Sequence, residues 1–314
     1  MNDPTSPPSL PATAQKNHSY LVIGLLTGLV VLTALLIPKL KGAQADGPVE
    51  DPVVWYDLLQ GELTGWETYF GSPYQTVTLP GSDRSGRPHI GLNNDPLGVV
   101  SFVELEGEPT LRITGEVNGG ISTTEDFQNY HLTLKYKWGG EIWPSPHGSV
   151  RDSGLCFHAH GEHGAAHNFW LSSVEFQIRQ WATGDLWLNN TLAAVRAAEP
   201  KSADSNERMK IDFREPRRLV KGNVRCQDDV HEQYGWNKID LYVLGDKAVF
   251  YVNGTFAMTA EDLSTTDGES SLPLTKGKIQ LQSGGAEIFY QDIRIRELKE
   301  FPPAVQDMVD VSRI

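Results

Sequence analysis

Cysteine is scarce in this chain, and the sequence signatures of several common protein classes are missing. With only two cysteines, Cys156 and Cys226, in 314 residues, a disulfide-stapled scaffold is excluded, although one bridge or two buried thiols stay open. No run of basic residues occurs and the net charge is −13, so we expect no nucleic-acid partner. The sequence also contains no Gly-rich phosphate loop, no Gly-x-Ser-x-Gly elbow and no repeat of fixed period.

Zinc-finger and His-Glu-x-x-His spacings are absent as well. Four imidazoles nevertheless lie close together in the sequence, and imidazole is a good ligand for zinc and similar ions. They belong to His158, His160, His163 and His167. Because no known ligand spacing supports a metal site, we expect no cofactor, and a metal at this His-rich segment is only an alternative.

Three segments precede the predicted folded domain. Residues 1–19 are rich in Pro, Ser and Thr and are predicted to be disordered. The uncharged run Tyr20–Ile37 has about 18 residues, near the minimum for a membrane-spanning helix and longer than a usual signal-peptide core. We expect a single-pass membrane anchor that leaves the domain outside the cytoplasm. A cleaved signal, which would give a secreted protein, stays open, and residues 38–52 resemble a linker.

The domain itself is predicted to span residues 53–300, followed by a tail at 301–314 without a clear pattern. Turn residues separate strand-like runs about every 8–12 residues, which is typical of an all-β sandwich or barrel. Residues 189–234 differ because they are charged and contain two prolines. We expect a long excursion there, with a short helix at Thr191–Ala198.

The stretch Arg151–Trp187 carries the densest set of polar side chains with functional potential. Alternate side chains of a strand point to opposite faces. His158 and His160 therefore share a face in the first run, and Glu175 and Gln177 share one in the second. Two such strands, each with one apolar and one polar face, predict a sheet that packs its apolar face on the core. The opposite, polar face would carry the candidate functional residues. A face that is polar only for solubility would favour Lys, Thr and Glu, so we predict a functional site.

Aromatic residues suit a carbohydrate ligand at this site. Trp and Tyr number 8 and 10, and Trp143, Trp181 and Trp187 lie near the polar stretch. Their rings either rim a sugar-binding pocket or belong to the core. In the run YHLTLKYKW, Lys135 and Lys137 share a polar face, which is either part of the site or solvated surface.

Six motifs follow one another along the chain: GELTGW, FQNYHLTLKYKW, RDSGLCFHA, SVEFQI with TGDLW, WNKIDLYVLGDKAVFYVNG, and GKIQLQSGGAEIFYQDIRIREL. In this order they resemble the 3-keto-disaccharide hydrolase domain family. The resemblance covers about Val53–Leu298. It implies a concanavalin A-like two-sheet antiparallel sandwich, or jelly-roll, in an exported bacterial protein that acts on sugars oxidised to a ketone at carbon 3. The family's Asn-Ser-Gly motif is matched by Asp152-Ser153-Gly154, and the Arg that often ends that strand is His158 here.

Such a ketone acidifies the hydrogen on carbon 2. A base can remove it, the substituent on carbon 1 then leaves by β-elimination, and added water makes the net reaction a hydrolysis. This route needs a base, a donor near the enolate oxygen and an acid for the leaving group. We assign Glu175 as the base and His158 as the acid or second base. Arg151, Lys135 or Lys137 is expected to stabilise the enolate.

The remaining candidates are expected to bind the substrate: Gln177, Lys135, Lys137, His160, Trp143, Trp181, Asp185 and Trp187. A direct oxocarbenium route would instead pair Glu175 with Asp185 as the two carboxylates. The alternative to an enzyme is a non-catalytic, lectin-like binding module at the cell surface, because one sandwich serves both functions.

Overall fold

A computed structural model describes residues 53–59, 61–81, 88–144, 150–200, 208–226, 232–267 and 270–311. The predicted disordered segment, membrane anchor and linker, at 1–19, 20–37 and 38–52, lie outside the described residues. Within those described ranges, no helix combines the length and apolar character that crossing a membrane requires.

The described chain is built from β-strands, with one helix near its end. In chain order these elements are β1 Tyr56–Asp57, β2 Trp66–Pro73, β3 Gly91–Leu92, β4 Val100–Leu105, β5 Glu108–Ile113, β6 Val117–Thr123, β7 Tyr130–Ile142, β8 Asp152–His160, β9 Ser172–Arg179, β10 Leu186–Ala198, β11 Lys210–Ile211, β12 Arg217–Val224, β13 Asn237–Leu244, β14 Lys247–Val252, β15 Thr255–Asp267, β16 Ser270–Pro273, β17 Lys278–Ser283, β18 Ala286–Glu297 and α1 Pro303–Val311.

These strands form two antiparallel sheets. The first has the order β4-β5-β18-β7-β13-β14-β15, with β1 also beside β18. The second, which we call the site sheet, has the order β3-β2-β6-β17-β8-β9-β10-β12. Strand β15 passes from one sheet to the other, since its later half pairs with β10 and β16. The predicted all-β antiparallel sandwich is therefore confirmed.

Aromatic side chains from both sheets fill the space between them. Phe176 of the site sheet stacks on Phe250 of the first sheet, with 4.4 Å between ring centroids. Phe157 meets the same ring edge-on at 5.9 Å. All three side chains are completely buried, so the predicted core side of β8 and β9 is the observed one at these positions.

One local prediction is wrong, and the tail, for which no element was predicted, contains a helix. Residues 191–198, expected to be a short helix, belong to β10, whose Ala193, Val195 and Ala197 are buried in the core. Alternating small and β-branched residues fit a pleated strand as well as a helix, and pairing with β12 decides the outcome. The tail contains α1, which packs Val305 and Val309 onto Val249 of β14 in a second, smaller apolar cluster.

Candidate functional site

The site sheet brings polar side chains from four adjacent strands into one row. Register places Gln280 beside Cys156, Cys156 beside Glu175, and Glu175 beside Trp187. Directly opposed residues of neighbouring strands share a face, so this row lies on the side of the sheet away from Phe157 and Phe176. The polar face that the sequence predicts for these strands is therefore present around Glu175.

Glu175 is the centre of this face. Its Oε2 accepts a hydrogen bond of 2.8 Å from Nδ2 of Asn189 on β10, and Gln282 of β17 also donates to the carboxyl group. The neighbouring position on β8 is Gly154, where a side chain would lie only 2.5 Å from Oε1 of Glu175 and 2.7 Å from Oε1 of Gln282. The missing side chain thus makes room for two polar groups from adjacent strands.

Burial controls the protonation of Glu175. The residue is only 2% exposed, and desolvation raises the pKa of its carboxyl to about 8, against the lowering effect of the Asn189 and Gln282 hydrogen bonds. The group is therefore mainly protonated at neutral pH. The predicted role as a base at pH 7 requires the ionised form of Glu175, which the raised pKa disfavours.

A second carboxyl on the same face belongs to Asp152, which sequence analysis matched to a motif but did not select as a site residue. Register pairs it with Arg179, whose Nη1 lies 3.7 Å from Oδ2. Although 34% of the Asp152 side chain is exposed, desolvation raises its pKa to about 7 and outweighs the lowering effect of Arg179. Asp152 and Glu175 repel each other electrostatically, which contributes to the raised pKa of Glu175.

Asp185 and Trp187 lie on the β10 side of the face. The backbone of Asp185 pairs with Gln177, and its carboxyl accepts a 2.9 Å hydrogen bond from the Cys226 backbone N–H. Arg208 reaches the same carboxyl at 3.1 Å and lies over the Trp187 ring at 5.9 Å. Asp185 therefore anchors Arg208 above Trp187, and burial raises the pKa of this carboxyl as well.

Apart from Oδ2 of Asp185, which Arg208 reaches, two polar atoms on this face are buried without a hydrogen-bond partner among the described residues. They are Oε1 of Gln177 and Nε1 of Trp187, an acceptor and a donor. A buried polar group left unpaired costs about 1–3 kcal/mol. Hydroxyl groups both donate and accept, so a polyhydroxylated ligand is chemically suited to satisfy both atoms.

The loop between β8 and β9, residues 161–171, folds over the other half of the face. Trp170 Nε1 donates to the Gly119 carbonyl at 3.0 Å, and the Leu171 N–H donates to Oε1 of Gln280 at 3.4 Å. His163 stacks on Tyr69 at 5.0 Å and contacts Glu67 at 3.1 Å. The more exposed end of the face is thus the one with Asp152, Arg179 and Arg208, whose side chains are 34%, 29% and 28% exposed.

His158 does not join Glu175, contrary to the prediction. It lies at a β-bulge, where the register of β8 shifts after Phe157, and its φ is 48°. The bulge turns the imidazole to Gly245 of the first sheet, with Nε2 3.0 Å from the carbonyl. Burial lowers the pKa of His158 to about 4, so it is neutral and structural. His160, beyond the bulge, contacts Thr265 at 3.2 Å instead.

Lys135 and Lys137 are also placed away from Glu175. Both belong to β7 of the first sheet and alternate with the core residues Leu134 and Tyr136. Lys135 pairs with Asp292 at 2.7 Å and Lys137 with Glu106 at 2.6 Å. The predicted alternation within β7 is correct, but the polar side of that strand is the outer face of the opposite sheet.

The last three predicted residues lie beyond the ends of the strands. Arg151 precedes β8 and contacts Gln180 and the Gly139 carbonyl, both at 3.4 Å. Trp181 is in the β9–β10 turn and is 52% exposed. Trp143 follows β7 and donates from Nε1 to the Thr114 carbonyl at 3.0 Å. None of these contacts involves the Glu175 carboxyl.

Sequence reasoning missed Asp152, Asn189, Gln282 and Arg208. A signal existed for Gln282, since the run KIQLQS alternates apolar and amide residues. Asn189 lies two residues beyond Trp187 on the same face of β10, but that strand was partly predicted as an excursion. As for metals, no cluster of three or more potential His, Cys, Asp or Glu ligands is found within the described part of the chain.

The profile of the family described as "3-keto-alpha-glucoside-1,2-lyase-like domain" matches residues 54–296, which is more than half of the chain. The chain belongs to this family. The predicted family is therefore confirmed, and membership supports a role in binding or cleaving glycosides. No curated protein sequence matches the chain.

Several solved structures are similar in part. A candidate glycosyl hydrolase from Parabacteroides distasonis has 18% identity, covering 78% of this chain and 100% of its own, with a TM-score of 0.44. A β-glucanase from Bacillus licheniformis has 11% identity, covering 80% and 100%, with a TM-score of 0.36. A carbohydrate-binding module, CBM66, from Bacillus subtilis has 8% identity, covering 63% and 92%, with a TM-score of 0.34.

Proposed function

We propose that this protein cleaves 3-keto-glycosides by elimination followed by hydration. The observation that carries the proposal is the pair of carboxyl groups on one face, Glu175 and Asp152, whose pKa values are raised to about 8 and about 7. Two carboxyls with pKa values near the working pH are suited to act as acid and base. Family membership supports the choice of substrate class.

In the proposed elimination, ionised Asp152 takes the proton from carbon 2, which the ketone at carbon 3 has acidified. The electron pair of that bond forms the double bond between carbons 1 and 2, and the bond from carbon 1 to the glycosidic oxygen breaks. Protonated Glu175 gives its proton to the departing oxygen. Arg179, 3.7 Å from Asp152, is positioned to stabilise the enolate oxygen as charge develops there.

Hydration restores both carboxyl groups. Water adds its oxygen to carbon 1 and gives a proton to ionised Glu175, while Asp152 returns a proton to carbon 2. The cycle ends with Glu175 protonated and Asp152 ionised, so no further acid, base or oxidant is required. The sum of the two steps is hydrolysis to a free 3-keto sugar and an alcohol.

Hydrogen exchange at carbon 2 tests this route. The protein is incubated in D₂O with a 3-keto-disaccharide, and the product is followed by NMR against a protein-free control. Asp152 is 34% exposed, so the proton that it holds exchanges with solvent before hydration, and the route places deuterium at carbon 2 of the released 3-keto sugar faster than the control does. Release of the sugar with its original hydrogen at carbon 2 would point to direct displacement at carbon 1 instead.

A non-catalytic carbohydrate-binding module is the second candidate. It is favoured by the low exposure of Glu175, 2%, because a substrate reaches the carboxyl only after the covering side chains move. The two candidates differ in outcome: the binding module would hold a 3-keto-disaccharide without releasing any product.

We also propose that the sandwich lies outside the cytoplasm, held at the membrane by the segment Tyr20–Ile37. The support is the absence of charge in that run of about 18 residues. Protease added to intact spheroplasts should degrade the domain while a cytosolic marker survives. A domain that is degraded only after lysis would contradict this location.

A further inference from the structure

A cleft of about 210 Å³ lies at one end of the sandwich, where β7 and β9 end and the chain approaches β8 and β13. Its lining combines aromatic rings with a few polar groups: Lys137, Trp138, Arg151, Gln180, Trp181, Glu232, Gln233, Tyr234 and Gly235. Arg151 contacts Gln180 and the Gly139 carbonyl of β7 in the first sheet, whereas the carboxyl of the next residue, Asp152, lies 3.7 Å from Arg179 of the site sheet. The cleft is therefore separate from the Glu175 face.

Glu232 fixes the shape of this cleft. Its Oε1 accepts hydrogen bonds from Tyr136 Oη at 3.0 Å and Trp138 Nε1 at 2.6 Å, and its Oε2 accepts one from the Trp181 backbone N–H at 3.0 Å. The last bond holds Trp181 at a φ of 67°, in the left-handed region that a non-glycine residue adopts only at a cost in energy. Strain of this kind is concentrated at functional sites.

The strained turn presents a large ring to solvent. Trp181 is 52% exposed, and the adjoining Tyr234 is 92% exposed. Their ring centroids are 6.3 Å apart, edge to face. Exposed apolar groups that form a patch around a cleft mark binding sites, and aromatic faces suit the C–H faces of a sugar ring.

The charges around the cleft favour a neutral ligand. Lys137 is paired with Glu106 at 2.6 Å, so its charge is compensated. Arg151 and Glu232 contribute one charge of each sign to the lining. Among the described residues, Arg151 makes two long hydrogen bonds of 3.4 Å to neutral oxygens, and its Nε finds no hydrogen-bond partner there. Its guanidinium thus keeps donor capacity for hydroxyl groups.

We propose that this cleft binds one neutral pyranose ring of a glycan, stacked on the face of Trp181, in contact with the neighbouring Tyr234 ring and hydrogen-bonded by Arg151. Its volume is below the roughly 300–1,000 Å³ of pockets for drug-sized ligands, which fits a single ring with the rest of the glycan in solvent. The site is independent of the reaction proposed for Glu175 and would hold unoxidised sugars.

Saturation-transfer NMR on the full-length protein tests the proposal with methyl β-glucoside and cellobiose as neutral probes and glucuronate as the acidic one. Trp181→Ala and Tyr234→Ala should each weaken binding of the neutral probes by about tenfold, a loss of about 1.4 kcal/mol. Tyr56→Ala removes another exposed tyrosine, 61% exposed and on β1, and serves as the matched control.

Glu175→Gln distinguishes the two sites, since it should bind both neutral probes as the wild type does. The proposal is overturned if Trp181→Ala and Tyr234→Ala bind the neutral probes normally, if no neutral probe binds, or if only glucuronate does. Loss of the signal in Glu175→Gln would also overturn it, because the sugar would then occupy the Glu175 face.

Discussion

The carboxyl of Glu175 occupies the space that a side chain at Gly154 would take. A β-carbon at position 154 would lie 2.5 Å from Oε1 of Glu175, which is far inside normal contact distance. The two residues are on adjacent strands, β9 and β8, with Gly154 opposite Gln177. Glycine in this motif therefore determines where the proposed proton donor lies, and a strand glycine often marks such a close approach.

Replacing Gly154 with Ala should move the Glu175 carboxyl while leaving the stability of the fold nearly unchanged. The groups that the methyl would meet are the ends of flexible side chains, Glu175 and Gln282, so they can move while the backbone stays. We expect a stability change below about 2 kcal/mol by chemical denaturation but a loss of at least tenfold in kcat. Gly140→Ala is the control, because nothing lies within 4 Å of its β-carbon position. Unchanged kcat in Gly154→Ala would contradict this account.

The pH dependence of the reaction follows from the two carboxyl groups. Asp152 must be ionised to act as the base, so the rate should fall as pH drops below about 7. Glu175 must be protonated to act as the acid, so the rate should fall as pH rises above about 8. We expect a narrow bell with its maximum between these values, which belong to the interacting pair rather than to each group alone. A profile that is flat from pH 6 to 9, to within about twofold, would rule out this pair.

His158 should make the fold sensitive to acid. Its pKa is lowered to about 4 in the folded state, below the roughly 6.5 of an unfolded chain. The unfolded state therefore binds more protons as pH falls through this window, and the folded state loses up to about 3 kcal/mol. His158→Gln cannot titrate and still reaches the Gly245 carbonyl.

Denaturant unfolding of both proteins at pH 7 and pH 4.5 measures this effect as a difference. From pH 7 to pH 4.5, the free energy of unfolding of the variant should rise by about 2–3 kcal/mol relative to that of wild type. If the difference in free energy of unfolding between the two proteins does not change with pH, the pKa of His158 is not lowered by folding.

Much of the fold around the site could be predicted from alternation along the chain. Phe176 is buried and Glu175 faces the other side, as the period of two requires, and the same pattern placed Leu134 and Tyr136 in the core. The family was also recognisable, because the ordered motifs are spread over nearly the whole domain.

Alternation gave wrong side-chain positions where the backbone departs from a regular strand. It also could not show to which of the two sheets a strand belongs. One extra residue at the β8 bulge turns His158 to the opposite sheet, and its φ of 48° has no signature in the sequence. The pattern in β7 could not reveal that Lys135 belongs to the other sheet. Nor could it give the protonation of Glu175, which depends on burial beneath side chains distant in sequence.

Glu175→Gln should change the free energy of unfolding by an amount that depends on pH. Loss of a structural hydrogen bond alone would change it by the same amount at every pH. The pKa of Glu175 is raised to about 8 from about 4.3 in an unfolded chain. As pH rises from 4 to 8, the unfolded state releases the proton and the folded state keeps it, so stability falls, by up to about 3 kcal/mol at pH 7. Glutamine escapes this loss. The variant should gain stability over wild type between pH 5 and pH 7.5 by about 2–3 kcal/mol, and a constant difference would contradict the raised pKa.

Turnover of a 3-keto-disaccharide by wild type and Glu175→Gln tests the central claim most directly. Glutamine keeps the shape of the side chain but has no proton to give to the leaving oxygen, and loss of such a group typically costs about 10²–10⁴ in rate. The account predicts release of free 3-keto sugar by wild type, and a kcat lower by that factor in the variant, which still binds substrate. Equal turnover by the two proteins, or binding without release by wild type, would contradict it.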